Sequence, residues 1–131
     1  MLGYQVIGTI ISNGTAITSN TLYTLSSIFL PHEVWTIMGQ VSYKCSSASA
    51  SPSISYNGFG LANNTTTFGN YKIENYSSQS VATNNNYSDQ IVRIQTITSN
   101  INVSLNHTII FQNCSMVTVN SSSFLVATRL A

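Results

Sequence analysis

The chain has 131 residues, of which 43% are hydrophobic and only 5% are charged, and its net charge is +1. This length predicts one domain, spanning 1–131, with a core that needs no metal. The scarcity of cations argues against a nucleic-acid partner, and no apolar run approaches the roughly 20 residues of a membrane helix, so membrane insertion is not expected.

The polar residues are mostly Ser, Thr and Asn, with 21, 15 and 15 copies. A surface with so few charges does not repel its own copies, which favours a protein that works in an assembly. Residues 1–11 lack a basic residue ahead of an apolar run, so no signal peptide is expected. Without a signal we expect Cys45 and Cys114 to be free, buried thiols, although a disulfide between them is geometrically possible.

Strands dominate the first third of the chain. The segment 2–11 is apolar on both alternate sets, with Tyr4, Val6 and Ile10 on one face and Ile7 and Ile11 on the other. Asn13-Gly14 predicts a turn, and 17–30 predicts one bent strand or two short ones. From position 34 the pattern alternates strictly, which predicts a half-buried strand. One side of this strand carries Trp35, Ile37, Gly39, Val41 and Tyr43. It holds the only tryptophan, so we predict a central strand with the core packed around Trp35.

The rest of the chain predicts short strands between polar loops. Loops are expected at 46–53, closed by Pro52, at 63–70 and at 77–89, and a turn is expected at 121–123. Strands are expected at 54–62, broken at Asn57-Gly58, and at 71–76, 91–98, 101–111, 116–119 and 124–131. In the strand at 101–111 the inward set is Ile101, Val103, Leu105, Ile109 and Phe111, and the outward set is Asn102, Ser104, Asn106 and Thr108.

No segment has helical spacing over three turns. About eight to ten short strands separated by turn signals predict an all-β, antiparallel sandwich or barrel. The last strand is apolar on both faces, as is the first. We therefore expect one face to meet the core and the other to meet another subunit; the alternative is a strand covered by the protein's own loops.

Two segments resemble a known group of proteins. LPHEVWTIMGQVSY, at 30–43, is similar to the strand of tumour-necrosis-factor-like and complement-type globular heads in which a Trp follows a Leu-Pro turn. FLVATRLA, at 124–131, resembles the last strand of trimeric jelly-roll heads on phage tail fibres and on surface and minor capsid proteins of large viruses. The likeness covers most of the chain in pattern and about 20 residues in motif.

The resemblance implies a single-domain jelly roll of two antiparallel sheets that forms a homotrimer. The first and last strands would lie near the threefold axis. The implied interface residues are Tyr4, Val6, Phe124, Val126, Arg129 and Leu130. Arg129 would pair there with a carboxylate or a carbonyl oxygen.

The implied function is that of a virion structural protein of minor capsid, decoration or fibre-head type. Such a protein would be assembled in the host cytoplasm and would sit in the virion, with itself and other virion proteins as partners. The alternative is a carbohydrate- or receptor-binding head, in which loops touch a host glycan. The candidate ligand contacts are Tyr56, Tyr76, Tyr87 and Asn85.

Catalytic chemistry is not expected. The chain has three carboxylates, Glu33, Glu74 and Asp89, and two histidines, His32 and His107, all on separate segments. No nucleophile elbow, phosphate loop or paired ligand spacing is present, so we predict neither an enzyme nor a metal or cofactor. His107 interrupts an inward face. It is expected either to be partly buried with a hydrogen bond or to lie beside an interface, where three copies could sense pH or bind a metal.

Overall fold

The computed structural model describes residues 3–9, 15–62, 71–76, 79–98 and 100–131. Within these ranges every regular element is a β-strand: β1 (Gln5–Ile7), β2 (Thr15–Ile17), β3 (Tyr23–Leu30), β4 (Val34–Ala62), β5 (Tyr71–Asn75), β6 (Gln79–Ser80), β7 (Tyr87–Thr96), β8 (Ile101–Val119) and β9 (Phe124–Arg129). The nine strands form one antiparallel sheet, which confirms the all-β, antiparallel prediction. The expected Asn13-Gly14 turn, the 63–70 loop, Ile10 and Ile11 lie outside the described residues.

Two long strands, β4 and β8, divide this sheet into halves. Residues 34–43 of β4 pair with β7, and 35–40 pair with β9, which in turn pairs with β1; we call this group the first half-sheet. Residues 53–62 of β4 pair with β5, β6 and residues 104–112 of β8, and β8 also pairs with β3; this group is the second half-sheet. Between the two halves, residues 43–48 of β4 pair with 114–119 of β8, which also pairs with β2. Because β4 continues through both halves, the sheet folds over itself and encloses one core.

The core lies between the two halves, and the alternation at 34–43 decides which side chains enter it. Trp35, Ile37, Val41 and Tyr43 are buried, as predicted, and the indole Nε1 donates to the carbonyl oxygen of Pro31 at 3.1 Å. Gly39 belongs to the same set. A Cβ at Gly39 would lie 2.9 Å from Leu105 of the second half-sheet, so the missing side chain lets the two halves approach closely.

Two expected interruptions of β4 are absent. The 46–53 loop prediction is wrong, because these residues remain within β4. The partners of Ala48 and Ser53 are Cys114 and Gln112, so β4 has an excess of residues here, and the ladder shifts register where β4 passes between the half-sheets. The predicted break at Asn57-Gly58 is also wrong, since both residues pair with β5 on one side and with β8 on the other. Two neighbouring strands override the local turn preference.

Other parts of the structure differ in detail from the sequence expectations. Of the segment 17–30, residues 23–30 form β3, and Ile17 is the last residue of β2; Asn20, with a φ of 59°, lies between these strands. The expected outward residues Ser104 and Asn106 are buried, and Asn106 accepts a hydrogen bond from Thr24 at 3.1 Å. The 77–89 region is partly strand, because it contains β6 and the start of β7. No helix among the described residues is long and apolar enough to span a membrane.

Cys45 and Cys114 form a disulfide, with their Cα atoms 6.0 Å apart, so the expectation of free thiols is wrong. The bond joins β4 to β8 beside the register shifts, where backbone pairing is least regular. The expectation rested on the signal-peptide prediction, which carries no information about the distance between the two cysteines. The pairing of β4 with β8 brings them together. Cross-linking residues 69 positions apart restricts the unfolded chain, which stabilises the folded state by about 4 kcal/mol in the chain-entropy account.

Reduction of this bond is expected to lower the free energy of unfolding by about 4 kcal/mol, because the unfolded chain regains the lost freedom. Urea titrations with and without a reductant measure the change. The Cys45→Ala/Cys114→Ala variant is the control, since reductant should not affect it. Two reactive thiols per chain in the unreduced, unfolded protein would contradict the bond.

Candidate interaction surfaces and a buried polar cluster

An apolar row crosses the outer face of the first half-sheet. Val126 of β9 lies between Ile7 of β1 and Met38 of β4, and Met38 lies beside Val92 of β7. Ile7, Val126, Met38 and Val92 thus form a continuous row across four strands, which we call the outer row. Ile7 is 71% exposed and Val92 is 48% exposed, whereas the two central members are more buried. Cross-strand neighbours of this kind contact one another on the sheet surface.

Uncharged residues surround the outer row. In the next register, Gln5, Thr128, Thr36 and Ile94 lie side by side, and Ile94 is 66% exposed. On the other flank Phe124 pairs with Gln40, whose amide oxygen accepts from Gln90 at 2.6 Å. None of these described outward positions is charged, so no charge at these positions opposes contact with another apolar surface.

The predicted trimer residues divide between the two faces of the first half-sheet. Phe124 and Val126 share the outer face, and Leu130 is exposed just beyond β9. Val6 pairs with buried Ala127 and packs against the core, so the outward apolar residue of β1 is Ile7. Tyr4 is 57% exposed, and its carbonyl oxygen accepts from the Arg129 amide.

Arg129 points away from the outer face and forms a salt bridge with Glu33 at 2.9 Å. Its partner is therefore a carboxylate, one of the two options expected from the sequence, and it belongs to the same chain. Because both side chains are only partly buried, the pair contributes little to stability by itself.

A polar cluster joins the two half-sheets inside the core. Asn57 projects from the second half-sheet and donates from Nδ2 to an Asp89 carboxylate oxygen at 2.6 Å and to the Tyr43 hydroxyl at 3.3 Å. A carboxylate needs a donor, which fixes the orientation of this amide. The Asn57 Oδ1 therefore faces His107 Nε2, 2.8 Å away, and that nitrogen donates.

His107 is fully buried, and the ring of Tyr43 lies 5.8 Å from its ring. Its Nδ1 has no hydrogen-bond partner in the described structure, which suits a neutral ring protonated at Nε2. Burial lowers the pKa of His107 to about 4, because the charged form is poorly solvated there. Of the two sequence options, the buried histidine with a hydrogen bond is correct. A ring of three histidines at an interface is excluded by this burial.

Burial, reinforced by the nearby Asp89 carboxylate, raises the pKa of Tyr43 above its usual value, so its hydroxyl stays protonated.

Tyr87, a candidate ligand residue, stacks on Tyr43 with ring centroids 6.1 Å apart, and its hydroxyl accepts from the Ala82 backbone amide at 2.8 Å. The Tyr87 side chain is thus half-buried, and its hydroxyl holds the backbone of the adjoining loop at Ala82. Asn85, in the same loop, is exposed, and its backbone N–H donates to the Ala82 carbonyl oxygen.

The other two candidate ligand residues, Tyr56 and Tyr76, lie together. Their ring centroids are 4.9 Å apart, and both hydroxyls donate to the same Glu74 oxygen, at 2.8 and 2.5 Å. Burial and then the bond to Glu74 raise the pKa of Tyr56, so its hydroxyl remains a donor. Both residues were expected in strands that flank polar loops; Tyr56 lies within β4, and Tyr76 directly follows β5.

The three carboxylates have separate partners. Glu33 bonds to Arg129, Glu74 to the tyrosine pair, and Asp89 to Asn57. Within the described ranges, no three His, Cys, Asp or Glu side chains are grouped so that they could hold a metal ion.

No family model and no curated protein matches the chain. Solved structures do match it. A TNF-family protein, Eiger from S. frugiperda, aligns over 100% of this chain and 94% of its own, with a TM-score of 0.62 and 9% identity. The chain has a TNF-like jelly-roll fold. This finding confirms the resemblance seen in the sequence motifs.

Virus-particle proteins share the same fold. A chain of the T13 particle of infectious bursal disease virus aligns over 97% of this chain, with a TM-score of 0.57 and 11% identity. A chain of the Gx strain of that virus aligns over 97%, with a TM-score of 0.53 and 11% identity. This chain spans 30% and 31% of those two chains, respectively. At such identities the likeness concerns the fold alone.

Acid is expected to destabilise the protein through His107. The folded pKa of about 4 lies below the unfolded value of about 6.5, so the folded state binds fewer protons between these values. The stability associated with the neutral ring is complete above pH 6.5 and falls as the pH drops towards 4, by on the order of 3 kcal/mol.

Urea midpoints measured between pH 7 and pH 4 test this dependence. His107→Gln retains a donor towards Asn57 but does not titrate, so its stability should fall less over the same range. Equal slopes for the two proteins would contradict a buried, neutral His107.

Proposed function

We propose that this protein is a structural component of a virus particle, of minor capsid, decoration or fibre-head type, and that it acts through trimeric assembly. The observation that carries the proposal is the outer row, an exposed apolar row on an outer face whose described positions are uncharged, in a chain with a TNF-like jelly-roll fold. The fold match to chains of virus particles supports the virion setting.

We propose that the partners that contact the outer row are two further copies of this chain. It crosses β1 and β9, the strands that the sequence resemblance implies near a threefold axis. Burying apolar side chains releases roughly 25 cal/mol for each Å² removed from water. Because the face is uncharged, copies of it can meet without desolvating unpaired charges.

The interface residues proposed here differ in part from those chosen from sequence. Phe124, Val126 and Leu130 remain, because they lie on or beside the outer face. Ile7 replaces Val6 as the contact from β1, since Val6 packs inward. Met38, Val92 and Ile94 are added, because strand register places them on the same face.

Neighbouring proteins of the particle are proposed as further partners. In this proposal the protein is assembled in the host cytoplasm, and the final location of the protein is the virion. No enzymatic activity is proposed, since the three carboxylates each serve a structural contact.

Charge placed on the outer face is expected to break the trimer. Val92→Glu and Ile94→Glu each bring three like charges into a closing apolar contact, which costs several kcal/mol. Light scattering should give a mass near three times 14.2 kDa for the unaltered protein and near 14.2 kDa for the variants.

Phe29→Glu is the matched control. Phe29 is an equally exposed apolar residue, but it pairs with Asn102 in the second half-sheet, so its variant should stay trimeric. A monomeric unaltered protein, or trimeric Val92→Glu and Ile94→Glu variants, would overturn the proposed assembly.

A further inference from the structure

Tyr56 and Tyr76 lie on the outer face of the second half-sheet. Asn57 and Phe59 point into the core, so the alternating positions Tyr56 and Gly58 face away from it. Gly58 pairs with Glu74 of β5, which puts the carboxylate on the same outward side. This face belongs to a different half-sheet from the outer row and shares no residue with it.

The two rings are held in place before any ligand arrives. Both hydroxyls donate to one oxygen of Glu74, and the ring planes meet at 47°. Side chains that are already fixed lose little rotational freedom when they bind something, which raises affinity. Glu74 therefore acts as a positioning residue for both rings.

Gly58 provides the surface on which the Tyr56 ring rests. A Cβ at this position would lie 2.3 Å from the Tyr56 hydroxyl oxygen and 2.7 Å from Cζ. The φ of Gly58 is not in the positive range that requires glycine, so the reason for a glycine here is room for the ring. Tyr76, the partner ring, remains 73% exposed.

We propose that Tyr56 and Tyr76 form a binding site for a neutral sugar. A pyranose ring has an apolar face of C–H groups and an edge of hydroxyls. The C–H face would stack on the exposed ring of Tyr76, while sugar hydroxyls would donate to the phenol oxygens, which keep lone pairs after donating to Glu74.

The charge of the site selects among sugars. The Glu74 carboxylate accepts a hydrogen bond from both rings, and its negative charge disfavours an anionic ligand such as a sialic acid. A neutral hexose suffers no such repulsion. The site thus predicts a preference for neutral over acidic sugars.

Saturation-transfer NMR with a panel of methyl glycosides tests the site directly. The probes are the methyl glycosides of galactose, glucose, mannose and N-acetylglucosamine, with that of N-acetylneuraminic acid as the acidic comparison. At least one neutral glycoside is expected to bind, with the strongest transfer to protons on one face of its ring, and the acidic one is expected not to bind.

Two variants assign the binding to this pair. Tyr76→Ala removes the exposed ring and should weaken binding by roughly tenfold or more. Gly58→Ala keeps both tyrosines but displaces the Tyr56 ring, so it should also weaken binding. Tyr76→Phe keeps the ring without its bond to Glu74, and an intermediate affinity is expected.

Tyr4→Ala is the matched control, because Tyr4 is also an exposed tyrosine but belongs to the N-terminal segment beside β9. It should bind as the unaltered protein does. The inference is overturned if no neutral glycoside binds, or if Tyr76→Ala and Gly58→Ala bind as well as Tyr4→Ala. Light scattering on the same samples reads the assembly separately, so either proposal can fail without the other.

Discussion

The antiparallel pairing of β4 with β8 is the constraint on which the rest of the structure depends. β4 takes part in both half-sheets, β8 pairs with it along the passage between them and in the second half, and every other described strand except β1 pairs with β4 or β8. Their ladder shifts register near the Cys45–Cys114 bond, where the sheet passes from one half to the other. Because β4 is continuous through both halves and stays paired with β8, the core between the halves closes with Trp35 and Leu105 fully buried.

This arrangement gives the two outer faces different chemical characters. The first half-sheet presents aliphatic side chains in register across four strands, which suits contact with another apolar surface. The second half-sheet presents a tyrosine pair tied to Glu74 above a glycine, which suits a small polar ligand with one apolar side. Between them, the cluster around Asn57 links the halves through directional hydrogen bonds, so their relative placement is specified by more than apolar packing.

Sequence reasoning succeeded where a single strand has one buried face. Alternation at 34–43 identified the inward residues, and the motifs at 30–43 and 124–131 indicated a fold that structural comparison confirms. It failed at 46–53 and at Asn57-Gly58, where residues with turn preferences continue a strand that has neighbours on one or both sides. Of the candidate ligand residues, Tyr56 and Tyr76 lie together, whereas Tyr87 supports a loop from the core side.

The sequence by itself determined the strand-rich class, the central strand and its buried face, because a period of two reports the environment of each side chain without knowledge of its partners. Only the tertiary structure decided the disulfide, the burial of His107 and which face of β1 points outward. Each of these depends on the register between strands that are distant in the chain, and a shift of one residue would exchange the faces. The outer row and the tyrosine pair are likewise products of register, since their members come from segments that no local pattern connects.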